Sequence, residues 1–344
     1  MITARKFLSV IMVLYAQAAF AQATYTIDDF SPDYRATVYV AKPDEVFSSG
    51  WISIEDKKTK KELLKVTSGE LAIDAEKGKV TSNIRELPYG RQSVIQYEDF
   101  NFDGIKDLAI EDGQESCYHG PSFTVYLGNE RGFKPSKEFT DLAHNYCGMF
   151  NVNAKEKTIS TMTKSGCCWH QSSLYKIKDG LPYTVEIHAE KFELGNVTEI
   201  TEKWDGHKMV TKQTRTIDKR DVKSVLDFVL QDNGKEVFLF TAQGDNNLNY
   251  AFINTKGHIE LAFPQDSKSD APLFKLTQSS DSVTLSFKNG AEYVIKESAS
   301  GKMTLYVTVN GKTTHYTQGN AKKSGTLKTL LLDIPSNVQF NNAN

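Results

Sequence analysis

Past the first two dozen residues the chain has no apolar run approaching the roughly 20 residues a bilayer-spanning helix needs, so no membrane insertion is expected. Neither sign of charge dominates: 43 acidic residues stand against 41 basic ones, and no basic stripe is set apart. That removes the electrostatic footprint of a nucleic-acid binder. Signatures of catalysis are missing as well, with no G-x-S-x-G, no H-E-x-x-H and no glycine-rich phosphate loop. Ser173-Leu174-Tyr175-Lys176 has the form S-x-x-K, but positions three apart on a strand face opposite sides. The seven histidines are scattered. A binding protein is therefore expected rather than an enzyme.

Cysteine is scarce and localised. The four residues, Cys117, Cys147, Cys167 and Cys168, all fall between positions 117 and 168. Their spacing is no zinc pattern, and two disulfides are expected in an exported chain. Neighbours on a strand point to opposite faces, so Cys167 and Cys168 are expected to bond Cys117 and Cys147, in either order, rather than each other.

Export is read from the first residues. A basic start at Arg5 and Lys6, an apolar run from Phe7 to Tyr15 and a small-residue stretch ending Ala19-Phe20-Ala21 make a secretory signal peptide over residues 1–21. Cleavage there starts the mature chain at Gln22; cleavage after Ala23 is the alternative. With no cysteine following, no lipid anchor is expected, and the destination is the periplasm.

Alternating apolar and polar residues dominate the rest, as in Gly50-Trp51-Ile52-Ser53-Ile54-Glu55 and Ser282-Val283-Thr284-Leu285-Ser286-Phe287. This is strand periodicity. Turns at Asp179-Gly180, Asp205-Gly206, Asn289-Gly290 and Asn310-Gly311 sit between such runs, as hairpins require. The expected fold is all-β. Helical spacing is weak and best over 222–230, where a short amphipathic turn is expected. The charged run Asp218-Lys219-Arg220-Asp221 reads as a linker between a first domain, 24–218, and a smaller β-rich domain, 224–344.

One motif carries sharp chemistry. Residues 99–107 spell D-x-N-x-D-G-x-x-D, with oxygen side chains at alternate positions and Gly104 where the chain must turn. Calcium takes six to eight oxygens at about 2.3–2.6 Å, and Asp99, Asn101, Asp103, the Ile105 carbonyl and Asp107 supply such a set. Magnesium fits worse because it holds its waters. Position 12 of a helix-loop-helix hand would be Glu, but here it is Ile110, and the flanks are strand-like. The loop is thus expected to join two strands, with Asp107 closing it. A metal-free Asp/Asn turn is the competing reading.

The stretch Ile54-Glu55-Asp56-Lys57-Lys58-Thr59-Lys60-Lys61-Glu62, the 99–107 loop with Leu108-Ala109-Ile110, Tyr126-Leu127, Lys155-Glu156-Lys157-Thr158-Ile159-Ser160 and Ser173-Leu174-Tyr175-Lys176 before Asp179-Gly180-Leu181 occur in this order. Over most of 45–215 the chain thereby resembles bacterial periplasmic immunity proteins that inhibit lysozyme-like peptidoglycan hydrolases. The resemblance implies a propeller-like or sandwich first domain with one calcium loop, a peptidoglycan hydrolase as protein partner, and inhibition by a loop residue pushed into the enzyme cleft. The four cysteines and the second domain depart from the family. On this reading the plug belongs to residues 115–120, with Tyr118 and His119 at its tip, because a tyrosine ring fills a sugar subsite and its hydroxyl reaches a catalytic carboxylate. Trp169 and His170 form the second candidate patch. The second domain resembles small exported β-domains of unassigned role. Its Ser298-Ala299-Ser300-Gly301 resembles a loop of inhibitors of animal-type lysozyme, although Thr304 stands where those carry Tyr. The alternative function is a calcium-stapled structural or adhesive module that binds a cell-envelope component.

Overall fold

The computed structural model describes residues 22–76, 78–87, 90–193, 195–265, 272–321 and 323–342; the expected signal peptide lies outside them. The chain forms two compact units, Met1–Met162 with Tyr175–Tyr183, and Thr163–Leu174 with Thr184–Asn344. Both are built from antiparallel meanders, so the fold is all-β.

In the first unit, β1 (Ala23–Ile27), β2 (Tyr34–Val40), β3 (Ser48–Asp56) and β4 (Glu62–Leu71) pair in chain order. A ribbon of β5 (Ala75–Glu76) and β6 (Lys79–Val80) follows. Next come β7 (Ile95–Glu98), β8 (Asp107–Ser116), β9 (Gly120–Asn129) and β10 (Gly132–Pro135), again in order. Alternation explains the packing. Ala36, Val38, Ile52, Ile54 and Val66 point from the first sheet onto Leu108 and Ile110 of β8. Ala109, between them, points the other way, into a cluster of Phe100, Phe123, Val125, Phe139 and Phe150. Strand β8 is thus buried on both faces, which is why Leu108-Ala109-Ile110 is apolar throughout rather than alternating.

Helix α1 (Lys137–His144) covers that second face with Phe139, Leu142 and Ala143, an i, i+3, i+4 stripe. Removing a wholly buried ring such as Phe100 or Phe139 costs about 3–5 kcal/mol. The third sheet runs through β11 (Asn151–Asn153), β12 (Thr158–Ser165), β13 (Trp169–Lys178), β14 (Leu181–Glu193), β15 (Asn196–Trp204) and β16 (Met209–Ile217). Its long strands β12, β13 and β14 are divided between the two units.

The second unit also contains β17 (Val222–Val229), β18 (Glu236–Ala242), β19 (Leu248–Ile253) and β20 (Ile259–Phe263), and then β21 (Phe274–Gln278), β22 (Ser282–Asn289), β23 (Ala291–Ser298), β24 (Met303–Val309) and β25 (Lys312–Thr317). Late in the chain β26 (Ser324–Gly325) adds to β17, α2 (Thr329–Leu332) follows, and β27 (Val338–Asn342) pairs in parallel with β21. The two sheets enclose Phe228, Leu239, Tyr250, Phe274, Leu285, Phe287 and Leu305. The opposite face of β18 and β19 buries Phe238, Phe240, Ala251 and Ile253, against which Ile217 of β16 packs.

Two expectations are corrected here. Residues 222–229 are strand, not an amphipathic helical turn; a β-bulge between Ser224 and Leu226 breaks the alternation and leaves apolar residues at helix-like intervals. The charged run 218–221 is a turn inside the second unit rather than a boundary: the Asp221 N–H donates to the Asp218 carbonyl at 3.1 Å, and the Asp218 N–H to Gly195 at 3.0 Å. The hairpin turns at Asp179-Gly180 and Asn310-Gly311 have positive φ at both residues, the geometry that suits the right-handed twist of paired strands.

Candidate metal loop and binding hairpin

Residues 99–106 connect β7 to β8, whose Glu98 and Asp107 face each other in register. Phe100, fully buried, meets the Phe150 ring at 5.2 Å and anchors the loop to the core. Asp107 closes it. Its Oδ2 accepts the Phe100 N–H at 2.7 Å and its Oδ1 the Gly128 N–H at 2.8 Å. Gly128 is required for this approach, since a Cβ there would stand 2.3 Å from the Lys106 carbonyl oxygen. Inside the loop, Asp99 accepts the N–H groups of Asp103 and Gly104 at 3.1 and 2.9 Å, and Asp103 accepts that of Ile105 at 2.8 Å. Asn101 Nδ2 donates to Asp103 Oδ2 at 2.8 Å. Gly104 takes φ +92°, which side-chain-bearing residues avoid.

Burial, with the charge of Asp103 adding to it, pushes the Asp107 carboxyl up to about 6 from its ordinary 3.8. Among the described residues no three His, Cys, Asp or Glu side chains converge as a metal-holding group. The oxygens the loop offers are the carboxylates of Asp99, Asp103 and Asp107, which here accept backbone N–H groups rather than meeting at one point, with the Asn101 amide oxygen and the Ile105 carbonyl. That all-oxygen set fits a hard cation by its chemistry, and a buried carboxylate opposed by desolvation is the kind of group a cation stabilises.

The other end of β8 leads into a hairpin with β9, closed by Ser116 opposite Gly120. Cys117 is fixed twice. Its N–H donates to the Tyr146 carbonyl at 3.2 Å, and its sulfur bonds Cys147 beyond α1. Tyr118 and His119 follow, both in the left-handed region at φ 55° and 59°. Consecutive residues of this kind persist only where the surroundings impose them. His119 Nε2 lies 3.2 Å from Glu70 Oε2, and its ring stands edge-on to Phe47 at 5.1 Å. Tyr118 is 61% exposed. A groove of about 230 Å³ is lined by Tyr118, Gln92, Ser116, Pro121 and Gly148.

A polar network beneath this hairpin has no counterpart in the sequence reading. Asp112 accepts Ser122 Oγ at 2.7 Å and Thr124 Oγ1 at 2.6 Å, and its Oδ2 lies 2.8 Å from His144 Nε2, so one carboxylate ties β8 to β9 and α1. Glu111, 1% exposed, accepts the Ala72 N–H and Gln114 Nε2 at 2.9 and 2.8 Å. Its burial pushes the carboxyl up to about 8. The available signal was Glu111-Asp112 interrupting an apolar strand, where the β8–β9 register shifts.

The disulfides pair differently from the sequence expectation. Cys117 bonds Cys147, and Cys167 bonds its neighbour Cys168. The strand argument fails because 166–168 form the turn between β12 and β13, where successive side chains need not diverge. Trp169 and His170, the first residues of β13, are half-buried, with His170 6.0 Å from the Phe192 ring. They belong to the second unit, whereas Tyr118 belongs to the first. Ser173 is buried while Lys176 is exposed on β13, so the S-x-x-K pair does not converge. The 298–301 loop is a tight β23–β24 turn closed by the Gly301 N–H on the Ser298 carbonyl at 2.8 Å.

No protein-family description and no curated protein sequence matches this chain. Among solved structures, one described as a Xanthomonas Type IV Secretion System related protein is similar at 17% identity with a TM-score of 0.44, covering 57% of this chain and 94% of its own. A likeness of this size carries no functional argument.

Proposed function

We propose that this chain is an exported, calcium-stabilised inhibitor of a lysozyme-like peptidoglycan hydrolase, in which the Cys117–Cys147 hairpin presents Tyr118 to the enzyme cleft. The supporting observation is Tyr118 itself: a large, exposed aromatic at the tip of a hairpin held by a disulfide, by left-handed backbone and by the His119–Glu70 pair. A plug already rigid before binding loses little entropy on entering a cleft, so more of its contact energy becomes affinity. The ring supplies apolar area and the hydroxyl a donor for a catalytic carboxylate. Calcium would be held by Asp99, Asn101, Asp103, the Ile105 carbonyl and Asp107, and would neutralise the loop's clustered charge. Two formed disulfides suit an oxidising compartment such as the periplasm. The action is binding without turnover.

The experiment is to add the purified mature chain to a panel of lysozyme-like hydrolases and follow cell-wall lysis. Stoichiometric loss of activity for at least one enzyme supports the reading; full activity across the panel, with no binding by calorimetry, rejects it.

One observation favours an envelope-binding module instead. On the first sheet Thr24, Tyr39, Trp51 and Thr67 form a cross-strand row whose threonines are exposed, with Tyr39 and Trp51 parallel at 5.6 Å and Lys65 Nζ 4.0 Å from the indole centroid. Amphipathic rings on a sheet face suit a saccharide. Retention on purified cell-wall polysaccharide that Trp51→Ala abolishes would favour this second reading.

A further inference from the structure

The Cys167–Cys168 bond joins residues one apart in sequence, whereas Cys117–Cys147 spans 30. A disulfide stabilises a fold chiefly by closing a loop of unfolded chain, and the effect grows with loop length. A bond between neighbours closes no such loop and fastens no second element, so stapling does not explain it. The two bonds differ in accessibility too. Cys147 is 6% exposed and Cys117 half-buried, but residues 165–168 are all exposed. The turn that carries the neighbouring pair is held by other means: the Phe192 N–H donates to the Cys168 carbonyl at 2.8 Å, and β12 and β13 pair on either side.

We infer that Cys167–Cys168 is a thiol-exchange site, reversibly opened by an external dithiol without unfolding the chain. One thiolate of the dithiol attacks an exposed sulfur, breaking the Cys167–Cys168 bond and forming a mixed disulfide; the cysteine sulfur released takes a proton. The second thiolate of the reductant then displaces the other cysteine sulfur, which also takes a proton. Two electrons and two protons pass to the protein, and the dithiol leaves as its own disulfide. The product carries two adjacent thiols beside Trp169 and His170. Exposure decides which bond reacts, because exchange needs an in-line approach to sulfur that a buried bond denies. This inference does not depend on the hydrolase-inhibitor reading.

The test uses the mature chain, graded dithiothreitol, rapid alkylation and peptide mass mapping, with far-ultraviolet circular dichroism alongside. Cys167 and Cys168 are expected to be labelled at a reductant concentration at least tenfold below that which labels Cys117 and Cys147. The β spectrum should be unchanged, and the bond should return when oxidised dithiol is added. The C167S/C168S double variant should melt at the wild-type temperature. Opening of both bonds over one concentration range, prior opening of Cys117–Cys147, or loss of the β spectrum when only Cys167 and Cys168 are labelled would overturn the proposal.

Discussion

Cys117 and Cys147 bring their Cα atoms to 4.7 Å and so fasten the base of the Tyr118 hairpin to the chain that follows α1. The adjoining hydrogen bonds, Cys117 N–H to Tyr146 and Cys147 N–H to Met162, make this one fixed corner of the first unit.

For a closed loop of this size, removing the bond is expected to cost about 3–4 kcal/mol. The C117S/C147S variant should therefore show a lower urea midpoint, with a slope no shallower than that of wild type because the unbridged unfolded chain exposes more surface. A midpoint equal to wild type would mean that the bond contributes nothing to the fold. Mass mapping of the unreduced protein should find no free thiol and link Cys117 to Cys147.

Calcium is expected to raise the melting temperature of the wild type, because it would bind the folded 99–107 loop and not the unfolded chain. At a hundredfold excess over the dissociation constant the gain is about 2.7 kcal/mol by mass action. Asp103→Ala should abolish the response. A wild type indifferent to calcium and to chelator, and indistinguishable from Asp103→Ala, would remove the metal from the account.

Glu111 supplies a pH dependence. Its folded-state value, about 8, lies above the ordinary 4.5, so the folded state holds this proton more tightly than the unfolded chain. The stability it contributes is complete below 4.5 and is lost as pH rises through 8. Glu111→Gln keeps an oxygen to accept the Ala72 N–H yet cannot ionise. Denaturation at pH 5 and pH 8.5 should therefore show a smaller decline for the variant, by on the order of a few kcal/mol. Parallel declines would place the effect on other groups.

The β class was legible in the alternation of Gly50-Trp51-Ile52-Ser53-Ile54-Glu55, and the hairpins in Asp179-Gly180 and Asn310-Gly311, because strand period and left-handed turns are local properties. Helix α1 was not, since only Phe139, Leu142 and Ala143 mark its apolar stripe within eight residues. In β17 a local pattern misled, as the bulge beside Ser224 gave a strand helical spacing. That the 99–107 loop joins two strands and is closed by Asp107 was legible because its Asp and Asn residues alternate within nine positions between strand-like flanks. The Asp112–His144 contact was not, since its partners are 32 residues apart and depend on how α1 packs. Likewise, a rule for strands cannot pair cysteines that sit in a turn.

The central claim concerns Tyr118, and the inhibition constant of Tyr118→Ala against a hydrolase that the wild type inhibits tests it most directly. Deleting a hot-spot aromatic should weaken inhibition by about 2 kcal/mol or more, roughly 30-fold, with circular dichroism and melting temperature unchanged. Inhibition equal to wild type would contradict the plug and direct attention to Trp169 and His170.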